Sequence, residues 1–179
     1  MNGSAKDGIE ARGMRLLPWG GAVALLSLPA LAMRFGVAGI DWSAADFIVF
    51  GAMLVAACGL YELARRARRD IGYRAAAAIA VATAFLGTWA NLAVGMVGSE
   101  ADPLNLAFAG VPGVALVGAV LAGSQAPGLA KAMLAAGCAQ ALVAATAFAI
   151  NADSRGAAFS AVFVAPWLLS SLLFRRASH

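Results

Sequence analysis

Histidine is nearly absent from this sequence, in which His179 at the last position is the only one. One histidine cannot supply a histidine pair to haem, a histidine-rich di-iron site or the HExxH zinc motif. The sequence also contains no phosphate-binding Walker loop, no dinucleotide-binding fingerprint and no GxSxG nucleophile elbow. These absences make an enzyme the least favoured class of function, and they predict that no cofactor is bound.

Cysteine and charge are scarce as well. The two cysteines, Cys58 and Cys138, lack the paired spacing of a metal knuckle or an extracytoplasmic disulfide, and we expect both to be buried thiols. Charged residues make up only 12% of the chain and hydrophobic residues 62%, whereas a soluble domain has about 25% and about 45–50%. The composition therefore argues against a water-soluble fold.

Long apolar runs take the place of the missing charge. About 20 helical residues cross a hydrocarbon core of about 30 Å, and runs of this length recur along the whole chain. The alternating pattern of membrane barrels is absent, whereas a helix satisfies its own backbone groups inside a membrane. The sequence thus predicts an all-α protein, a compact bundle of about six transmembrane helices over residues 16–174, with short tails at 1–15 and 175–179. The predicted spans are 16–35, 44–64, 75–98, 104–123, 132–151 and 157–174.

Lysine and arginine are distributed unevenly between the predicted loops. If the N-terminus is cytoplasmic, eleven of the thirteen cationic residues lie on the cytoplasmic side, and only Arg34 and Arg155 lie outside. Positive residues are retained on the cytoplasmic side of short loops, so we predict that both termini are cytoplasmic. The eleven are Lys6, Arg12, Arg15, Arg65, Arg66, Arg68, Arg69, Arg74, Lys131, Arg175 and Arg176.

The start of the chain allows a second interpretation. A basic tail, an apolar run and the small residues Ala30 and Ala32 together resemble a cleavable signal peptide, whose removal would leave five spans with the same orientation. The apolar run continues to Phe35, which favours an uncleaved first span.

The densest cationic segment is "RRARRDIGYR" at residues 65–74. Its arginines can anchor the topology or bind anionic lipid headgroups, which contribute about 1 kcal/mol per cation near a membrane surface. The anchor is the commoner role and the one we favour. Nucleic acid is not expected as a partner, because the net charge of +4 is spread along one membrane face without interleaved stacking aromatics. The arginines of this segment are Arg65, Arg66, Arg68, Arg69 and Arg74.

Small residues at four-residue spacing predict close packing between the helices. Ala78 and Ala82 in the third span, and Ala135 and Ala139 in the fifth, would let helix backbones approach closely. Such packing leaves little room for a wide aqueous pore. The fifth span also contains Gln140, for which we expect an interhelical hydrogen bond in preference to a ligand.

Prolines interrupt the first, fourth and sixth predicted spans. Each removes a backbone donor and is expected to bend its helix. Broken helices in matching halves are typical of inverted-repeat transporters, but Pro29 and Pro112 lie at different depths of the first and fourth spans, so a repeat is weakly supported. The interrupting prolines are Pro29, Pro112 and Pro166.

Several polar residues near the predicted extracytoplasmic face have the spacing of helix caps. Ser43 and Asp46 match a capping box, in which the hydroxyl and the carboxylate each bind a free backbone N–H. Asp102 before Pro103 fits an N-cap followed by proline at the first helical position. Asn105 is likewise attributed first to a helix end.

Asn91 and Glu100 have no such local role. Asn91 lies seven residues before Gly98, which places it about 10 Å inside the membrane boundary, where an unpaired amide is costly. It needs a partner, such as a carbonyl freed by Pro112, the Asp46 carboxylate or a ligand. If the acids and amides converge, they form an oxygen-rich pocket for a hard cation or protons. The candidate ligand-binding residues are Asn91, Glu100, Asp46, Asp102 and Asn105.

Two stretches of the chain carry a family resemblance. "DWSAADFIVFGAMLVAACGLYELARR" and "TWANLAVGMVGSEADPLNL" resemble a family of small, uncharacterised multi-pass inner-membrane proteins of bacteria. In that family the second stretch runs W-x-N-x-A-V-G, then a glycine, an acid and N-P-x-N, so Asp102 stands where asparagine is common. The resemblance is best over spans 2 to 4; it implies a bacterial inner-membrane location and no particular activity.

Two classes of function therefore remain in front of an enzyme of unrecognised type. The first is a small structural or accessory membrane protein, embedded in the lipid bilayer and packed against itself as a homo-oligomer or against a larger membrane complex. The alternative is a transporter, channel component or sensor that binds a cation or small polar solute at the extracytoplasmic acidic and amide cluster. These classes differ in whether the candidate side chains surround one cavity.

Overall fold

The computed structural model describes residues 3–98, 102–150 and 154–178 of the chain. Within these ranges the secondary structure is α-helical without a strand, which confirms the predicted class. Its helices are α1 (Gly3–Arg34), α2 (Ala44–Ala67), α3 (Ile71–Val94), α4 (Leu104–Ala122), α5 (Ala126–Ala149), α6 (Ser154–Ala161) and α7 (Val164–Arg176). Six segments are long and apolar enough to cross a membrane, and α6 and α7 together form the sixth.

The third and fifth helices begin earlier than the apolar pattern predicts. Asp70 caps α3, because its Oδ1 accepts a hydrogen bond of 2.7 Å from the backbone N–H of Tyr73. This helix ends before Gly95, whose φ of 72° suits a residue without a side chain. Gly98, which we expected to end it, is therefore three residues too late. α5 has Pro127 in its first turn, where the missing N–H costs no hydrogen bond.

The sixth span is broken, and Pro166 explains the position of the break. Proline has no N–H to donate to the carbonyl of Val162, four residues earlier. The chain tightens there, with hydrogen bonds of 3.2 Å from Val162 N to Phe159 O and from Phe163 N to Ser160 O. By contrast, α1 and α4 continue as helices through Pro29 and Pro112.

The chain divides into two compact units, residues 1–62 and 63–179. In the first unit, the ring of Trp42 packs edge-on against Phe47 and Phe50 at centroid distances of 5.4 and 5.2 Å. Also in this unit, the buried thiol of Cys58 donates to the carbonyl of Pro18 over 3.4 Å. In the second unit Cys138 is exposed, so the expectation of two buried thiols is wrong for this one. The residue lies on an exposed face of α5, and its apolar character does not bury it there.

In the second unit, α5 packs against α4, α6 and α7. Its buried face is lined mostly by alanines, which bring the neighbouring backbones close. Two serines of α7 tie this packing together. Ser170 Oγ donates to Ala76 O of α3 over 2.8 Å, and Ser171 Oγ donates to Ala130 O of α5 over 2.7 Å.

The contact between α4 and α5 is close enough to be tested by one methyl group. In Gly118→Ala the new Cβ would lie 2.6 Å from the Cβ of Ala132, so the two helices would have to separate. Overpacking of this kind costs about 1–3 kcal/mol. We therefore expect a lower midpoint of thermal unfolding in detergent.

Gly110→Ala is the matched control on the same helix, because nothing lies within 4 Å of the Cβ that it adds. Alanine favours a helix over glycine, so this variant should unfold at the same temperature as the parent chain or above it. Equal midpoints for the two variants would contradict the close approach of α4 and α5.

Candidate functional site

Two asparagines meet where α3 ends and α4 begins. Asn105, which is only 5% exposed, accepts hydrogen bonds on Oδ1 from the backbone N–H groups of Met96 and Val97, over 2.9 and 3.1 Å. Its Nδ2 donates back to Val97 O over 3.3 Å. Asn91 Nδ2 donates to the backbone carbonyl of Asn105 over 2.9 Å. We call Asn91, Asn105 and the backbone of Met96 and Val97 the amide clasp.

The amide clasp exists because a buried loop needs hydrogen-bond partners. Met96 and Val97 follow the end of α3 and are buried, so their backbone groups cannot bind water. An amide side chain offers an acceptor with two lone pairs and two donors, and it can therefore replace the missing helical partners. Asn105 fills this role, which agrees with its assignment to a helix end.

Asp102 caps the start of α4. Its Oδ1 accepts from Leu104 N over 2.9 Å, and its backbone carbonyl accepts from Asn105 N over the same distance. Its other carboxylate oxygen lies beside Gly98, where a Cβ would be only 2.9 Å away. Since Gly98 also has a φ of 63°, a side chain there would meet both strain and the carboxylate. The carboxylate of Asp102 thus binds the first N–H of α4, although the helix begins at Leu104 and Pro103 lies just before its first residue.

Asn91 binds a backbone carbonyl, as expected, but not the carbonyl that was expected. The carbonyl that it binds belongs to Asn105 and not to a residue freed by Pro112. Its Oδ1 is buried and has no hydrogen-bond partner among the residues that the structure describes. Glu100 lies outside the described residues, so its place beside Asn91 stays a prediction.

Asp46 belongs to the first unit and forms the predicted capping box. Its Oδ2 accepts from Ser43 N over 2.7 Å and from Ser43 Oγ over 2.8 Å. Ser43 Oγ in turn accepts from Asp46 N over 3.3 Å. Both groups are exposed, so the box serves the first turn of α2, and whether Asp46 also binds a ligand stays a prediction.

A metal site with several protein ligands is not found in the part of the chain that the structure describes. Within it, no three histidine, cysteine, aspartate or glutamate side chains come close enough together to hold one ion. The side chains of the amide clasp are neutral. Ligand binding at Asn91, Glu100, Asp46, Asp102 and Asn105 remains a hypothesis.

Gln140 forms the interhelical hydrogen bond expected of it. Its Nε2 donates over 3.0 Å to the carbonyl of Ser160, which lies near the break between α6 and α7. Ser160 O also accepts from Phe163 N over 3.2 Å, so this carbonyl bonds both within the tightened turn and to α5. The amide of α5 therefore supports the backbone where Pro166 stops it. Sequence reasoning missed Ser160 as the partner of Gln140, because the two residues lie 20 positions apart and no local pattern joins them.

The turn between α2 and α3 is held by its own arginines. Arg74 donates from Nε to Arg68 O over 3.0 Å and from Nη2 to Arg65 O over 3.1 Å, which covers carbonyls at the end of α2. The Arg68 guanidinium lies 5.8 Å from the ring centroid of Tyr73. Arg74 thus has a local structural role, and the anchoring or lipid-binding role of the segment at 65–74 stays a prediction.

Comparisons with known proteins give no relative of this chain. No family model, no curated protein and no solved structure matches it. The amide clasp and the cap at Asp102 are therefore interpreted from their own geometry.

The amide clasp predicts a ranking of two alanine variants. Asn105→Ala removes the partners of two buried N–H groups and one carbonyl, and each unsatisfied buried group costs about 1–3 kcal/mol. Asn91→Ala removes one hydrogen bond and an oxygen that lacks a described partner, so it should cost less. Thermal unfolding in detergent measures both losses.

The rate of hydrogen exchange at the backbone amides of Met96 and Val97 is an independent measurement on the same variants. We expect faster exchange of these two amides in Asn105→Ala than in Asn91→Ala. If Asn91→Ala proved the more damaging variant by both measurements, Asn105 would not be the residue that holds the loop.

Proposed function

We propose that this protein is a six-span integral membrane protein of the bacterial inner membrane with a structural or accessory role. It acts by packing against a second copy or a larger membrane complex, and both of its termini are cytoplasmic. The proposal builds on six helices that are compatible with a membrane protein by length and composition.

The observation that carries the proposal is how the described polar side chains near α3 and α4 are used. Asn105 and Asp102 direct their side-chain oxygens to backbone N–H groups of the same chain. A cavity in the second unit has a volume of only about 10 Å³, which is room for about one water molecule. These contacts support a structural role for Asn105 and Asp102.

The exposed surface supports a membrane environment. Ile71, Leu106 and Leu121 are each more than three-quarters exposed in the isolated chain. Soluble monomers rarely expose contiguous apolar patches larger than a few hundred Å². Lipid tails or the apolar face of a partner would cover such residues at no cost in hydration.

Assembly in mild detergent tests the structural or accessory role. The purified chain should run as a homo-oligomer, or with a partner in fixed stoichiometry, when its mass is measured by light scattering and native mass spectrometry. Asp41→Asn, an exposed loop substitution, should leave that mass unchanged and serves as a control for handling. A lone monomer at all protein concentrations would contradict the role.

The alternative function is a transporter, channel component or sensor, and the buried Oδ1 of Asn91 is the observation that favours it. A cation bound there would stabilise the chain by about 2.7 kcal/mol at a concentration of 100 Kd. Stabilisation by Na⁺, Mg²⁺ or Ca²⁺ that is lost in both Asn91→Ala and Glu100→Gln would establish the alternative. Midpoints that do not change with cation or pH would favour the accessory role.

The orientation is testable with introduced thiols. In a chain with Cys58→Ala and Cys138→Ala, the exposed positions Arg69 and Asp41 are each replaced by cysteine. Because positive charge is retained inside, an impermeant maleimide should label Asp41→Cys on intact cells. It should label Arg69→Cys only after the membrane is permeabilised. The reverse pattern would invert the topology.

A further inference from the structure

A small cavity lies in the second unit beside the amide clasp, since Met96 contributes to its walls. Its volume is about 10 Å³, and α3, α4, α5 and α7 all contribute to its walls. Most of the lining is apolar, including Phe108 and Phe163. Three lining side chains carry polar groups that the packing described so far does not use: Thr88, Gln140 and Trp167.

Gln140 offers this cavity an acceptor. The residue is 5% exposed, and its Nε2 is committed to Ser160 O. Because Ser160 O can only accept, the amide orientation is settled, and the oxygen Oε1 is the free end. No residue in the described ranges donates a hydrogen bond to this oxygen.

Trp167 offers a donor, and Thr88 offers a group of both kinds. The indole of Trp167 is 2% exposed, and its N–H has no acceptor among the residues described. The hydroxyl of Thr88 has no hydrogen-bond partner in the same set. By contrast, the hydroxyl of Thr83, which also lines the cavity, is satisfied by Ile79 O over 2.6 Å.

Gln140 and Trp167 are buried side chains, and a buried donor or acceptor without a partner costs about 1–3 kcal/mol. A buried water molecule typically makes about three hydrogen bonds to groups of this kind, and about 10–15 Å³ is enough to hold it. We propose that the cavity binds one water molecule, which accepts from the Trp167 indole N–H, donates to Gln140 Oε1 and shares a third hydrogen bond with the Thr88 hydroxyl.

The chemistry of the walls selects water over a metal cation. No lining side chain is charged, and an indole N–H directed at a cation would be repelled by it. A hard cation also needs about six or more oxygen ligands, which the cavity does not provide. Any organic solute is larger than the space. Water can both donate and accept hydrogen bonds, and it is small enough for the cavity.

The water links three helices near the break between α6 and α7. Thr88 belongs to α3, Gln140 to α5 and Trp167 to α7. The same Gln140 amide that supports Ser160 on one side would bind the water on the other. This inference concerns the interior of the second unit and is independent of the proposed accessory function.

Water-to-protein cross-relaxation by NMR tests the proposal on the full chain in micelles labelled with ¹⁵N. The indole N–H resonance that disappears in Trp167→Phe identifies Trp167. We expect a cross-peak between this proton and a long-lived water in the parent chain. Its absence, with the indole proton still slow to exchange, would overturn the proposal.

Two variants localise the water. Gln140→Leu replaces the acceptor by an apolar group of similar size, and Thr88→Val removes only the hydroxyl, so each folded variant should lose at least half of the cross-peak intensity. Gln125→Leu changes an exposed glutamine and should retain it in full. Full intensity in every folded variant would place the water elsewhere and overturn the assignment. Should both variants fail to fold, the parent spectrum decides.

Discussion

The apolar interior of the second unit offers few hydrogen-bond partners, and this constraint explains where Asn105 and Gln140 lie. Backbone groups lose helical partners where a helix ends or breaks, and at three such places a planar amide or guanidinium binds the backbone. Asn105 binds the loop after α3, and Gln140 supports the carbonyl of Ser160 before α7. Arg74 covers carbonyls at the end of α2 in the same manner. These three side chains thus lie where regular backbone stops.

The parts of the fold that follow from local rules were predictable from the sequence. A run of about 20 apolar residues has few alternatives to a helix across a membrane, and the helices occur where such runs occur. The capping box of Ser43 and Asp46 and the cap at Asp102 were equally accessible, because each joins groups two or three residues apart. For such features, the number of residues between the two groups already determines whether they can form a hydrogen bond.

Features that depend on distant contacts were not predictable. Gly95 and Gly98 both have positive φ and both could end α3. The loop between them donates two backbone N–H groups to Asn105 Oδ1, and this distant contact accompanies the earlier end. Proline is tolerated inside α4 but accompanies a break in the sixth span, where the amide of Gln140 supports the interrupted backbone. The candidate ligand site has the same difficulty, since convergence of side chains is a property of packing. Glu100, on which an acidic pocket depends, lies outside the described residues.

The short connection between α4 and α5 bears on how the protein is made. Only residues 123–125 separate these helices, and Gly123 turns the chain with a φ of 57°. Two close approaches join the helices across that turn, one between Gly118 and Ala132 and one between Gly128 and Ala122. All of these contacts are available once residue 132 has been synthesised, before α6 and α7 exist. The pair is therefore suited to form first as one helical hairpin, against which the last helices then pack.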